Sequence, residues 1–264
     1  EALNISASVI QQKNLLKTGD EFPYGQIAAS EANECWNKAD EQFNIKELQK
    51  EIDDFNASNK NYKKGLALMP ICFGISFTKT LMNQARSLVH VYTDGSVAVS
   101  TGAVEMGQGV NTKMLQVAAS IFSINPSKIK INTTNTYRIA NTSPTAASAT
   151  ADLNGKATKI ACATILERLK SVAAEELNVA VESIEIQDEF IFAAGKKTDW
   201  DWKRLVMAAY VKRINLSEHA HYTPPGIHFD ATIEKGHPFA YHVYGTSITT
   251  VTVDCIRGMY EHHD

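Results

Sequence analysis

The residues best suited to chemistry gather in one short loop, Gly102-Ala103-Val104-Glu105-Met106-Gly107-Gln108-Gly109. Three glycines in eight residues suit a backbone that must come very close to something, because glycine reaches positive φ and has no Cβ to block a bound group. Gln108, between the last two glycines, offers an amide that both donates and accepts. Glu105 is the only carboxylate in the loop, and a structural role is expected for it, since a carboxylate beside tight turns commonly accepts loop N–H bonds. A second loop, Asn141-Thr142-Ser143-Pro144-Thr145-Ala146-Ala147-Ser148-Ala149-Thr150, consists of small residues. Small side chains let another backbone approach, and Ser143 or Thr145 is expected to cap the helix that follows.

The flanking sequence says how these loops are held. Ser87–Tyr92 and Val97–Ser100 alternate around Thr93-Asp94-Gly95-Ser96, an Asp-Gly hairpin signal. Met114, Val117, Ala118 and Ile121 recur at helical spacing, so a helix is predicted to start near Asn111. Leu153, Ala157, Ile160, Ala161, Ile165 and Leu169 mark a longer helix after Pro144, ending around Leu177. Each loop therefore opens a helix, where free N–H groups suit a polar or anionic ligand. Together they suit a clamp on one flat, polar, phosphate-bearing molecule.

Elsewhere the pattern is mixed. Trp36, Phe43, Leu48, Ile52 and Phe55, with charges between them, predict one or two amphipathic helices. A hairpin is expected near Ser183–Asp188 and Phe190–Ala193, turning at Gly195. Thr198 is expected to cap a helix with acids in its first turn, and Val243–Cys255 to form a long strand. The order of elements gives an α+β fold, with helices packed on mixed β-sheets.

In order and in separation, Phe73-Gly74-Ile75-Ser76-Phe77-Thr78, Leu88–Val97, Glu105-Met106-Gly107-Gln108-Gly109, Asn141–Ser148 and Ala151-Asp152-Leu153-Asn154-Gly155 resemble the molybdenum-cofactor-binding portion of the xanthine dehydrogenase/aldehyde oxidase family. Pro225–Asp230 and Pro238–Gly245 extend the resemblance, toward the bacterial xanthine dehydrogenase branch. It runs from about Pro23 onward, and implies a helical N-terminal extension or linker over 1–60 and a partial molybdopterin-binding α+β region over 61–264. It also implies that Gly107, Gln108, Ala146, Ala147, Ser148 and Thr150 contact the molybdenum–molybdopterin cofactor. Phe77 and Thr78 are then substrate-side residues for a purine, another N-heterocycle or an aldehyde. Ala103 and Val104 stand where the family commonly has Gly-Thr, and Asn111 where it often has histidine, so no side-chain contact is carried over to those three.

The family's catalytic glutamate lies in a Gly-Glu segment that these residues do not contain, so no catalytic residue is assigned. The chain reads as a central excerpt of a larger molybdenum subunit, expected to be inactive alone; the alternative is a non-catalytic scaffold or interaction fragment. The implied 2Fe-2S and FAD groups belong to partner domains or subunits, and the parent enzyme is expected to be oligomeric.

Composition agrees with a folded module: 264 residues and 44% hydrophobic content can bury a sizeable core. A net charge of −3 and scattered lysines and arginines give no electrostatic case for nucleic acid. No apolar run approaches a membrane span, and neither a basic nor an apolar leader opens the sequence, so a cytoplasmic location is expected. Cys35, Cys72, Cys162 and Cys255 lack the spacing of a zinc or iron–sulfur site, and Cys162 is expected to be a buried thiol.

Overall fold

The computed structural model describes residues 5–132 and 134–263. In chain order come α1 (Ala7–Lys13), α2 (Ala32–Phe43), α3 (Ile45–Ser58) and β1 (Tyr62–Ile75). Then follow β2 (Ala85–Val91), β3 (Val97–Thr101), α4 (Val110–Phe122), β4 (Ile129–Asn132) and α5 (Thr150–Leu177). Short strands β5 (Ile184–Gln187), β6 (Phe190–Ala193) and β7 (Lys196–Asp201) lead into α6 (Trp202–Val211). The remaining strands are β8 (Ser217–Tyr222), β9 (His228–Asp230), β10 (Lys235–His237), β11 (Tyr241–Asp254) and β12 (Met259–His263). The fold is α+β, and no described helix is long and apolar enough to cross a membrane. Two compact units form: one from the chain up to Ile75 together with Ile227 onward, the other from Ser76–Gly226.

In the first unit β1 and β11 pair antiparallel, from Tyr62↔Asp254 to Ile75↔Tyr241, and β12 joins the far side of β11. Helices α2 and α3 are amphipathic, as their sequence predicts. They bury Ala32, Trp36 and Ile45 in one cluster with Leu68, against which Leu66, Tyr244 and Ile248 pack. Asn44 joins the two helices: it takes a left-handed φ of 45° after α2, and its side chain accepts the Glu47 N–H at the start of α3. A boundary at residue 60 would separate these helices from the strand they cover. The compact unit keeps them together.

A ring cluster closes this unit. The Phe22 ring stacks on His242 at 4.3 Å, and Tyr24 Oη lies 2.8 Å from His242 Nε2. Buried Gln26 bridges His237 Nε2 and the Phe239 carbonyl. Burial pushes the Tyr24 hydroxyl up to about 12. Burial, with His237 nearby, holds the His242 pKa below its ordinary value.

The second unit is built on a sheet of order β4-β3-β2-β8, parallel only between β3 and β4. The Asp94-Gly95 turn joins β2 to β3 as predicted, with Gly95 at φ 86° and Asp94 accepting the Ser96 N–H. Because β3 and β4 run the same way, the chain must cross over between them, and α4 makes that crossing. Helix α5 packs beside α4, burying Leu153, Ala161, Cys162, Ile165 and Leu169. Burial raises the Cys162 thiol to about 12, which makes it an inert core group. Trp202 is fully buried on Phe122, with its Nε1 donating to the Gly95 carbonyl at 2.8 Å.

Two local expectations are corrected. The β5–β6 hairpin turns at Asp188-Glu189, both with positive φ, whereas Gly195 turns β6 into β7. Thr198 lies inside β7 and bonds the Ile191 carbonyl, and Asp201 caps α6 by accepting the Arg204 N–H. The third strand of the meander claims the residues that locally resemble a helix start.

A histidine whose folded pKa is depressed binds a proton more readily when unfolded, so its contribution to stability is intact above the unfolded value and lost as pH falls through the folded one. Tm is therefore expected to be lower at about pH 5.5 than at about pH 7.5, and His242→Phe should shrink that difference. Equal pH dependence in wild type and variant, followed by circular dichroism, would count against the cluster as its source.

Candidate functional site

Gly109, at φ 75°, is the N-cap of α4, and Val110 is its first helical residue, one position before the predicted start. The preceding loop folds on its own side chains. Glu105 Oε1 accepts the N–H groups of Gly107 (3.0 Å) and Gly109 (2.9 Å), and Oε2 accepts that of Asn111 (3.0 Å). The Asn111 bond, then the Gly109 bond, holds the Glu105 carboxyl below the usual carboxylate range. Gln108 ties the other side: Nε2 donates to the Val104 carbonyl at 2.9 Å, and Oε1 accepts the Met106 N–H at 2.6 Å.

This confirms the structural role expected of Glu105 and corrects the expectation of donors waiting for an outside anion. At the start of α4 a carboxylate from the protein already occupies them.

The second loop comes up against the first. Thr145 Oγ1 accepts the Val104 N–H at 2.9 Å. A Cβ on Gly102 would fall 2.4 Å from the side chain of Thr142, so only glycine fits there without displacing the neighbouring loop. Neither Ser143 nor Thr145 caps α5. Its N-cap is Ala149, which makes no side-chain cap bond, and Thr145 is committed to Val104 instead. Ala147 and Ser148 sit at φ 53° and 51°, a left-handed conformation that costs a non-glycine residue roughly 1–2 kcal/mol. Burying a leucine or isoleucine of α5 stabilises by about 1.5–3 kcal/mol, so anchors such as Leu153, Ile165 and Leu169 readily outweigh that strain.

Between the loops lies a cavity of about 430 Å³. Met106, Gln108, Val110 and Lys113 line it from one side, and Thr145, Ala146, Ala147, Ser148, Thr150 and Ala151 from the other. Of the residues assigned to the cofactor by resemblance, Gln108, Ala146, Ala147, Ser148 and Thr150 thus share one space. Gly107 is not a lining residue but supports the loop through Glu105. Phe77 and Thr78 do not line the cavity: Phe77 is half-buried, with its backbone N–H and carbonyl both bonded by Asn83, and Thr78 is exposed. Among the described residues no group of three His, Cys, Asp or Glu side chains is arranged to hold a metal ion.

The family described as "Molybdopterin cofactor-binding domain" matches residues 38–264. The chain belongs to this domain family, in its xanthine dehydrogenase/aldehyde oxidase branch. Mouse xanthine dehydrogenase/oxidase is 38% identical over 257 residues, covering 96% of this chain and 18% of that protein. Aldehyde oxidase 2 of Macaca fascicularis is 35% identical over 253 residues, covering 96% of this chain and 17% of its own length. Quinoline 2-oxidoreductase from Pseudomonas putida 86 superposes with a TM-score of 0.77 at 20% identity, over 100% of this chain and 34% of that one, which speaks for the fold alone. The chain thus spans less than a fifth of the curated relatives it matches.

A molybdopterin-type ligand fits the chemistry of this cavity. Thr150, only 9% exposed, and Ser148 bring hydroxyl-bearing side chains to the lining that Gln108 and Lys113 share. Reading the sequence missed Lys113, Met106 and the clip made by Thr145. Lys113 had a usable signal, lying four residues after Gly109 and so one turn into the helix that the loop opens. The Thr145 clip had none, because its partner is 41 residues away.

Glu105→Gln replaces an acceptor with an amide donor facing an N–H. Hydrogen exchange at Gly107, Gly109 and Asn111 is expected to accelerate clearly in that variant, and unchanged protection would show that the carboxylate does not hold the loop.

Proposed function

We propose that the cavity holds the molybdenum–molybdopterin cofactor of a molybdenum hydroxylase, and that the parent protein is of the xanthine dehydrogenase type, hydroxylating xanthine or hypoxanthine at a ring carbon with oxygen from water. The observation that carries this reading is the meeting of the two small-residue loops on one cavity, with Gln108 on one wall and Ala146, Ala147, Ser148 and Thr150 on the other. When bound, the molybdenum centre supplies the two-electron oxidation of the substrate carbon. The chain's own residues bind and orient. Gln108 is fixed by Val104 and Met106, so its amide is held in place before any ligand arrives, and its second N–H remains to donate. Ala146 and Ala147 leave room for a flat ring system to approach the backbone, and the Ser148 and Thr150 hydroxyls offer hydrogen bonds.

Phe77 and Thr78 are read as substrate-side residues on the family resemblance, away from the cofactor wall. Residues 61–264 would supply the cofactor-binding region of the parent. Iron–sulfur centres and FAD on other domains or subunits would take the electrons. A second reading keeps the cofactor and changes the substrate to an aldehyde or another N-heterocycle. It is favoured by the similar identity to mouse xanthine dehydrogenase/oxidase and macaque aldehyde oxidase 2, 38% and 35%.

In the full-length parent, Gln108→Ala is expected to slow turnover of xanthine by about ten- to a hundredfold while molybdenum content and Tm stay near wild type. Unchanged turnover would reduce Gln108 to a loop residue. Turnover of aldehydes or quinoline in place of xanthine by the wild-type parent would favour the second reading.

A further inference from the structure

The first unit has a cavity of its own, of about 600 Å³, with walls from α1, α2 and α3 and a floor on β1. Its deeper lining is apolar: Trp36 is 4% exposed, and Ile45, Leu66 and Leu68 pack in the same cluster. Helix α1 buries no residue, and Gln11 Nε2 holds it to the sheet by donating to the Leu68 carbonyl at 2.9 Å. Val9 of that helix lines the cavity yet stays 41% exposed. An aliphatic side chain left open beside a buried indole gains burial when an apolar body fills the space between them.

The polar part of the lining is unbalanced. The left-handed turn at Asn44 sets the end of α2 against the start of α3, so Asp40 Oδ1 accepts the Ile45 N–H at 3.0 Å. Ile45, Gln49 and Asp53 follow at helical spacing on one face of α3, and Asp53 Oδ1 accepts Gln49 Nε2 at 2.9 Å. Each carboxylate spends one oxygen on these local bonds and keeps capacity to accept more. Lys46 is the one basic residue of the lining, against Asp40 and Asp53. None of the three is in an ion pair among the described residues. Asp40 is half-buried and Asp53 exposed, so solvent screens Asp40 less.

We propose that this cavity is a binding site for an organic cation, an amine carrying an aromatic or branched aliphatic body. The body fills the space against Trp36, Leu68 and Val9, Asp40 receives the ammonium, and Asp53 adds negative potential at the rim. Apolar cavities of this size with a few polar groups suit small molecules, and the excess of carboxylate selects the positive one. The inference goes beyond the cofactor reading and uses no residue of the second unit.

The test uses the full-length parent, with phenethylamine as probe and phenethyl alcohol and phenylacetate as its neutral and anionic counterparts. Binding is read by saturation-transfer difference NMR and by calorimetric titration. The amine is expected to bind about tenfold more tightly than the alcohol, and phenylacetate not to bind. Asp40→Asn should bring the amine down to the level of the alcohol, and Asp53→Asn should weaken it by about two- to threefold. Val9→Lys, at an exposed position that folding tolerates, puts a like charge in the cavity and should abolish amine binding. Equal binding of the three probes, or no amine binding to wild type, would overturn the assignment. So would amine binding that survives Val9→Lys, which decides the matter alone if Asp40→Asn should fail to fold.

Discussion

Everything at the site depends on two loops approaching each other more closely than ordinary side chains allow. Gly102 leaves no room for a Cβ against Thr142, and two residues on the Val104 N–H is received by Thr145. Were either loop built of ordinary residues, the segment after β3 and the segment before α5 would stand apart, and the cavity would open into a surface groove. Close approach also explains the chain's expensive local choices. Two non-glycine residues in succession stay in the left-handed region because a long helix with buried anchors begins immediately after them.

The same closeness divides the electrostatics. A glycine-rich turn at a helix start is commonly read as an anion cradle, and here the anion is a side chain of the loop itself. Glu105 stabilises the turn by accepting three N–H groups, so the loop keeps its shape without a ligand. That leaves Gln108 as a neutral amide, oriented by its bonds to Val104 and Met106. Lys113, one turn into the same helix α4, brings a positive charge to the cavity lining on the Gln108 side.

Much of this was legible in the residues. Small side chains around Gly107 and Ala146–Ser148 announced close approach, and apolar periodicity located α4 to within a residue and the end of α5, but not its start. The Asp94-Gly95 pair named its own turn, and the position of Glu105 among glycines foretold its bonds. What stayed hidden was set by partners distant in sequence. Thr198 has the chemistry of a helix cap, yet its hydroxyl serves the neighbouring strand through Ile191 because β6 claims it. Helices α2 and α3 look like a separate extension until β11, nearly two hundred residues later in the chain, pairs with β1 beneath them. A local pattern carries propensity, and only the pairing decides which propensity is used.

Phe77 and Thr78 mark the limit of that logic on the functional side. Their assignment comes from order and separation of motifs, and no feature of their surroundings repeats it: Asn83 holds the Phe77 backbone at both polar groups, a local turn closed by one side chain. These bonds fix the Phe77 main chain, and its side chain stays half-buried. Core phenylalanines do the reverse: Phe122 is fully buried against Trp202 and is held by its ring. Burial thus separates Phe77 from a core residue such as Phe122, a distinction its apolar neighbours in sequence conceal.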